Sequence, residues 1–271
     1  MTAQTDFVPG DFPSWRSYWN FAREVSRNYR YMRSAESEAF LAGVRATSES
    51  RRVEIPKGQI YFRAQVGHDW RPMNNDTDDE IPCAYPRARM KPLMGRPSDR
   101  RANPRGIPSL YLATTEEAAM SEVRPWIGSS VSCGQFKTNR HLTVIDCARR
   151  QHEQPLFFDM EKGMYEPAPE KRTQAVWAHI DRAFAEPTTR TDDVADYAPT
   201  QVLAELFKQS GADGVVYKSQ FGDDGFNICL FDPDVADLIN CGLFEVEAVK
   251  MKFKQTDDFY SVVEAAPPST T

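Results

Sequence analysis

Gly58-Gln59-Ile60-Tyr61-Phe62-Arg63-Ala64-Gln65 alternates with period two: Ile60, Phe62 and Ala64 fall on one face, and Tyr61, Arg63 and Gln65 fall on the other. The pattern predicts a strand with one polar face and an arginine at its centre. Such a segment is at least half buried, and a guanidinium there needs an anion, because an uncompensated buried charge is costly. The planar fork of arginine suits phosphate or carboxylate taken at two points. Two readings stand for Arg63: an internal ion pair with a core carboxylate, or a site for an anionic ligand.

Outward from this strand the pattern is mixed. Residues 14–47 read as helix, started by Pro13-Ser14, with Trp15, Tyr18, Trp19, Ala22, Val25, Tyr29 and Met32 at helical spacing. A break near Arg33-Ser34 makes two helices. The polar face carries Arg16, Arg23, Arg27, Arg30 and Arg33, which is either a solvated face or a partner surface. Residues 66–108 are rich in Pro, Asp, Asn and Arg and read as a long irregular stretch. A short strand is predicted over 109–113. Thr114-x-x-Glu117 then fits a capping box for a helix that Pro125 stops. Residues 141–147 read as strand, 151–168 as loop with a turn at 161–163, and 169–186 as helix. A further helix over 199–210 has Pro199 in its first turn and Gly211 as its C-terminal cap. Two strands, 214–220 and 227–231, flank a Gly-rich turn at 221–225. Residues 243–254 alternate as a last strand, and 265–271 read as a frayed tail. The order is α+β rather than a regular βαβ series. There is no G-x-G-x-x-G after a strand, no phosphate-binding Walker loop and no G-x-S-x-G elbow.

The chain of 271 residues is long enough to bury a core without metal or disulfide support. With 33 basic and 39 acidic residues its net charge is −6, which argues against general nucleic-acid binding. No apolar run approaches the ~20 residues of a membrane span. No basic segment followed by an apolar run opens the sequence, so no signal peptide and a cytoplasmic location are expected. Five scattered cysteines and four unpaired histidines form neither a disulfide framework nor a ligand-spaced set, so no metal is expected.

Beside Arg63, four positions have the chemistry of a site. Glu122 lies in the last turn before Pro125, where a carboxylate opposes the helix dipole, with Ala118 and Ala119 leaving space beside it. It suits stabilisation of a cation, or it is an ordinary exposed glutamate paired with an arginine. Ser219 and Asn227 flank the Gly-rich turn, where small polar groups approach a ligand closely or simply support the turn. Tyr111, between Leu110 and Leu112, either stacks on a flat heterocycle or fills core.

Together these segments resemble the RES domain, a bacterial family named for an Arg, a Glu and a Ser. Tyr61-Phe-Arg-Ala64 resembles its opening strand and Arg63 its arginine. Residues 101–113, Arg-Ala-Asn-Pro-Arg-Gly-Ile-Pro-Ser-Leu-Tyr-Leu-Ala, are similar to its central block. Ala118-Ala-Met-Ser-Glu-Val-Arg-Pro-Trp126 follows, with Glu122 at the glutamate. Residues 197–205 and 211–219 resemble its C-terminal helix and strand, with Ser219 at the serine, and 227–231 its closing strand. The resemblance spans roughly residues 58–235. The helical segment before residue 55 lies outside the core domain, and the stretches 67–100 and 150–195 are long for the family.

The resemblance implies twisted sheets with flanking helices, as in ADP-ribosyltransferases, arranged as an N-terminal helical extension (1–55), a catalytic domain (56–250) and a tail (251–271). It implies cleavage of the nicotinamide–ribose bond of NAD⁺, with water or inorganic phosphate as acceptor. It also implies a toxin or defence effector, an Xre-type antitoxin partner and a homodimer. On this reading Glu122 faces the ribose and its developing cation, and Arg63 takes the diphosphate or the attacking phosphate. Tyr111 orients the nicotinamide ribose end, Ser219 and Asn227 hydrogen-bond the ligand, Arg105 is a second phosphate ligand, and Tyr61 also contacts the dinucleotide. A macromolecular ADP-ribose acceptor, for which the basic face of residues 16–33 speaks, and a non-catalytic NAD⁺ or ADP-ribose sensor are the alternatives.

Overall fold

The computed structural model describes residues 11–73, 78–92, 97–149, 157–159, 163–186, 194–221, 225–251 and 253–257. In chain order the elements are α1 (Ser17–Arg27), α2 (Ala35–Ser48), β1 (Arg52–Ile55), β2 (Ile60–Val66), β3 (Asp69–Pro72), β4 (Glu80–Cys83) and α3 (Arg87–Met90). Next come β5 (Leu110–Ala113), α4 (Glu116–Glu122), β6 (Ser130–Thr138), β7 (Leu142–Asp146), β8 (Phe158–Asp159), β9 (Gly163–Met164) and α5 (Pro169–Ala185). The chain then adds α6 (Ala198–Gln209), β10 (Gly214–Lys218), β11 (Phe226–Leu230) and β12 (Ala236–Glu245). The fold is mixed α+β. Among the described residues no helix is long and apolar enough to cross a membrane.

Eight strands form one sheet in the order β1-β7-β10-β11-β5-β2-β6-β12, with β7 and β10 the parallel pair and the other neighbours antiparallel. It is two sheets joined at a point. β2 pairs with β6 along its whole length, from Ile60 to Val66, but with β5 only at Phe62↔Ala113. Beyond that contact β2 and β5 part, and a cleft opens between the five-stranded and three-stranded halves.

One face of the larger half carries the helices. Val215, Tyr217 and Cys229 alternate towards Val176, Trp177, Ile180 and Phe184 of α5 and Leu203, Leu206 and Phe207 of α6. Phe21 and Val25 of α1 and Phe40, Leu41 and Val44 of α2 join the same core. Burying such side chains contributes about 1.5–3 kcal/mol each. Ser34 caps α2 at the predicted break, accepting from Ser37 N at 3.2 Å, but α1 already ends at Arg27 and leaves Tyr29 and Met32 exposed. The opposite face of the sheet buries Leu110, Leu112, Phe136, Val144, Ile228 and Leu230.

The structure departs from the sequence reading in several places, and β1 already stands where no strand is predicted. The cap of α4 is Thr115, which accepts from Ala118 N; Thr114 Oγ1 instead accepts from Phe226 N and ties β5 to β11. The stretch 66–108 is not irregular throughout, for it holds the β3–β4 ladder and α3. β6 stands where no element is predicted, because its segment reads as polar and small. The last strand is residues 236–245 rather than 243–254: a bulge between Leu238 and Asn240 turns Ile239 outward, 50% exposed, and breaks the alternation. The turns predicted at 161–163 and 221–225 fall largely outside the described residues, and the tail at 265–271 falls wholly outside them.

Candidate active site

The cleft between β2 and β5 has a volume of about 520 Å³, within the usual range for small-molecule sites. α4 closes one end. Its seven residues run from the Thr115 cap to Glu122, and its small face, Ala118 and Ala119, packs on Ala64, Ala113, Val131 and Cys133. Ala118 does not leave open space: a Cβ built on Gly225 would lie 3.0 Å from the Ala118 Cβ, so a glycine lets the β10–β11 connection close on the helix. Ala119 borders the cleft. After Glu122 the chain leaves the helix through Arg124, whose φ of 47° is the one positive value at a non-glycine among the described residues.

Glu122 sits at the end of α4, where the dipole disfavours a carboxylate. Two donors offset this. Ser219 Oγ, just past β10, donates to Glu122 Oε1 at 2.9 Å, and Asn227 Nδ2, on β11, donates to the same oxygen at 2.5 Å. Ser219 Oγ accepts from Phe221 N at 3.1 Å, which turns its proton towards Glu122. Ser219 and Asn227 are buried, at 3% and 7% exposure, while Glu122 is exposed. Oε2 takes no hydrogen bond from any described residue, and Glu122 lines the cleft. One carboxylate oxygen is fixed and the other is free to act.

Arg63 enters the cleft from β2. Its Nη1 donates to the Tyr111 carbonyl at 3.1 Å, and its Nε is buried with no partner. No ion pair joins Arg63 to a described carboxylate. The internal-ion-pair reading is therefore set aside. Burial, with the Arg100 guanidinium nearby, pushes the Arg63 pKa down from 12.5 to about 10. Two guanidiniums without a carboxylate between them form an anion site.

Arg100 is the functional candidate that sequence reading misses. The loop bearing it is clamped by Asn103, 2% exposed, whose Nδ2 donates to the carbonyls of Ser98, Pro104 and Ile107. Gln201 Nε2, from α6, donates to the carbonyls of Arg100 and Asn103 at 3.0 and 3.1 Å. The Arg100 guanidinium lies 5.6 Å from the Tyr111 ring centre. Its neighbours Asp99, Arg101, Asn103 and Arg105 are all polar, so composition does not single it out.

The remaining predicted residues are placed differently. Tyr111 lines the cleft, but its hydroxyl donates to Asn103 Oδ1 at 2.7 Å and accepts from Ala102 N at 3.0 Å. Its polar end therefore holds the loop rather than a ligand, and burial raises its pKa well above 10. Arg105 is exposed, with its backbone N–H on Asp99 Oδ1, and is not part of the cleft lining. Tyr61 is 7% exposed in the core with Leu110 and Phe136, its pKa pushed up to about 12 by burial, and is also outside the lining. The structure thus brings together Arg63, Tyr111, Glu122, Ser219 and Asn227, adds Arg100, and leaves out Arg105 and Tyr61. Among the described residues no group of three or more His, Cys, Asp or Glu could hold a metal ion.

A family model described as the RES domain matches residues 80–241, more than half of the chain. The chain belongs to the RES domain family. Glu122, Ser219, Asn227, Tyr111 and Arg100 lie inside the matched residues, whereas β2, with Arg63, precedes them. No curated protein matches the chain. Among solved structures, this RES domain is similar to a chain in the M. tuberculosis MbcT–MbcA toxin–antitoxin complex, with 15% identity and a TM-score of 0.42, covering 75% of this chain and 92% of that one.

Proposed function

We propose that this RES protein binds NAD⁺ in the β2–β5 cleft and cleaves its nicotinamide–ribose bond, as a glycohydrolase or a phosphorylase. The observation that carries the reading is the polarity of the cleft. A carboxylate with one anchored and one free oxygen stands in the same lining as two guanidiniums that have no carboxylate partner. NAD⁺ has the matching polarity: a diphosphate for Arg63 and Arg100, and a nicotinamide ribose that becomes cationic as its bond breaks.

The C1′–N1 bond breaks with its electron pair going to the nicotinamide nitrogen, which leaves neutral, so no strong acid is needed. The sugar passes through an oxocarbenium-like state. Glu122, held before charge develops, stabilises that state and orients the ribose hydroxyls. A water or a phosphate oxygen then bonds C1′, and where water attacks, its proton is released. Ser219 and Asn227 act by fixing Glu122 rather than as nucleophiles. The same proposal gives the protein the role of a cytoplasmic toxin or defence effector restrained by an Xre-type antitoxin.

The test is NAD⁺ consumption by the purified protein with and without inorganic phosphate, following nicotinamide and the ribosyl product by mass. ADP-ribose marks a glycohydrolase, and ADP-ribose-1″-phosphate marks a phosphorylase. Glu122→Gln should lower turnover by roughly 10²–10³, the scale of losing one electrostatic stabiliser, while the protein stays folded. Full turnover in that variant, or no NAD⁺ loss by the wild type under either condition, overturns the proposal.

A further inference from the structure

Behind the Arg63–Arg100 pair lies a second, smaller chamber of about 170 Å³. It shares Arg63, Gln65, Arg100 and Tyr111 with the cleft and adds Arg89, Lys91, Ser98 and Ser109. Among the described residues four cations line it and no carboxylate does. Lys91 is paired outward with Asp234 at 3.1 Å and Asp237 at 3.9 Å. Arg63, Arg89 and Arg100 make no ion pair with a described residue; Arg89 lies over the Tyr85 ring at 4.8 Å, which holds its guanidinium in place. The buried, partnerless Nε of Arg63 belongs to the side chain that separates the two spaces.

The size of the chamber limits its occupant. It opens to solvent on one side and has room for one tetrahedral oxyanion. Its three guanidiniums without an ion pair favour an anion of more than one negative charge. Its position separates it from the reaction: Glu122 lines the cleft but not the chamber. An acceptor phosphate must reach the sugar carbon beside Glu122, so a phosphate in the chamber is not the acceptor.

We propose that the chamber is a phosphate subsite for the monoester phosphate of a phosphorylated nicotinamide dinucleotide, so that the substrate class includes NADP⁺ as well as NAD⁺. This rests on the dinucleotide reading of the cleft. Free phosphate shares the chemistry, and the test separates the two sources.

Binding is measured by calorimetry in the Glu122→Gln protein, where turnover is suppressed. The probes are NADP⁺ against NAD⁺, 2′-AMP against adenosine, and inorganic phosphate, each with and without Arg89→Glu. Arg89 is exposed at its own position, so Arg89→Ala serves as the milder partner variant. The expected result is that NADP⁺ binds more tightly than NAD⁺, and that Arg89→Glu cuts that preference tenfold or more, with Arg89→Ala in between. Equal binding of the two dinucleotides, or a preference that neither variant alters, overturns the proposal. So does an effect confined to inorganic phosphate, which would make the chamber a free-ion site only. If neither dinucleotide binds, the cleft reading has failed, and 2′-AMP against adenosine still reads the chamber: an Arg89-dependent preference for 2′-AMP supports the monoester site, and its absence refutes it.

Discussion

Replacing Arg63 by methionine should stabilise the unliganded protein while abolishing its ligand binding. Burial beside Arg100 takes the Arg63 pKa from 12.5 to about 10. At about 1.4 kcal/mol per tenfold change in proton affinity, holding the charge costs the fold on the order of 3 kcal/mol. The sign follows from linkage. The unfolded chain binds the proton more tightly between pH 10 and 12.5, so stability rises with pH only in that window. At neutral pH both states are protonated and the full penalty is present. Methionine keeps the buried stem and removes the charge, but it gives up the bond to the Tyr111 carbonyl, worth about 1 kcal/mol. The net gain is on the order of 1–2 kcal/mol, or roughly 2–8 °C in a domain of this size. The assay is thermal unfolding near pH 7.5, without ligand and with NAD⁺ or pyrophosphate. The unliganded Arg63→Met protein should melt higher than the wild type and gain nothing from either ligand. A variant that melts several degrees lower and is still stabilised by NAD⁺ would refute the reasoning, because Arg63 would then be a structural residue.

Gly225→Ala places a methyl 3.0 Å from the Ala118 Cβ and pushes α4, so turnover should fall about tenfold, and adding Ala118→Gly should restore it. Activity assays on the single and double variants decide this. Asn103→Ala removes three donor bonds and the acceptor for Tyr111. It should cost about 2–4 kcal/mol and raise KM for NAD⁺ more than it lowers kcat, because Arg100 loses its support; denaturant titration and steady-state kinetics check both parts. His179 packs against Trp19 at 4.5 Å, and burial with Arg182 nearby lowers its pKa from 6.5 to about 4. The unfolded state takes up the proton first, so stability should drop as pH falls from 6.5 towards 4, and His179→Phe should flatten that dependence in melting curves.

What is legible in the sequence depends on which interactions are local. The strand at Arg63, the helix at Glu122 and the strands around Ser219 and Asn227 are set by periodicity and turn residues, and the structure brings Arg63, Glu122 and Asn227 into one cleft, with Ser219 bonded to Glu122. Tyr61 shares the polar phase of Arg63, yet it lies in the core, because period two fixes a side and not what covers that side. Arg105 and Arg100 are equivalent by composition. Only the fold of their loop around Asn103, with Gln201 arriving from α6, puts Arg100 in the cleft lining and leaves Arg105 out of it. β6 is unreadable for a related reason: Ser132 and Gly134 serve long-range partners, Tyr85 N and the Leu238 side chain, and contribute no hydrophobic alternation.

The distribution of costs in the cleft argues for binding and turnover together. A site that only held a dinucleotide would gain from Arg63 and Arg100, and a carboxylate could accept its ribose hydroxyls without being set against a helix dipole and anchored by two buried donors. In the proposed reaction that anchoring is used when positive charge develops beside the carboxylate as the glycosidic bond breaks. Anchoring through one oxygen also means that the carboxylate need not reorganise at that moment. Ser219→Ala and Asn227→Ala should therefore lower kcat more than they weaken NAD⁺ binding, each by about tenfold or more. Steady-state kinetics set beside calorimetry on the same variants separates the two quantities. Equal losses in both would make Ser219 and Asn227 binding residues and would remove the argument that Glu122 is preorganised.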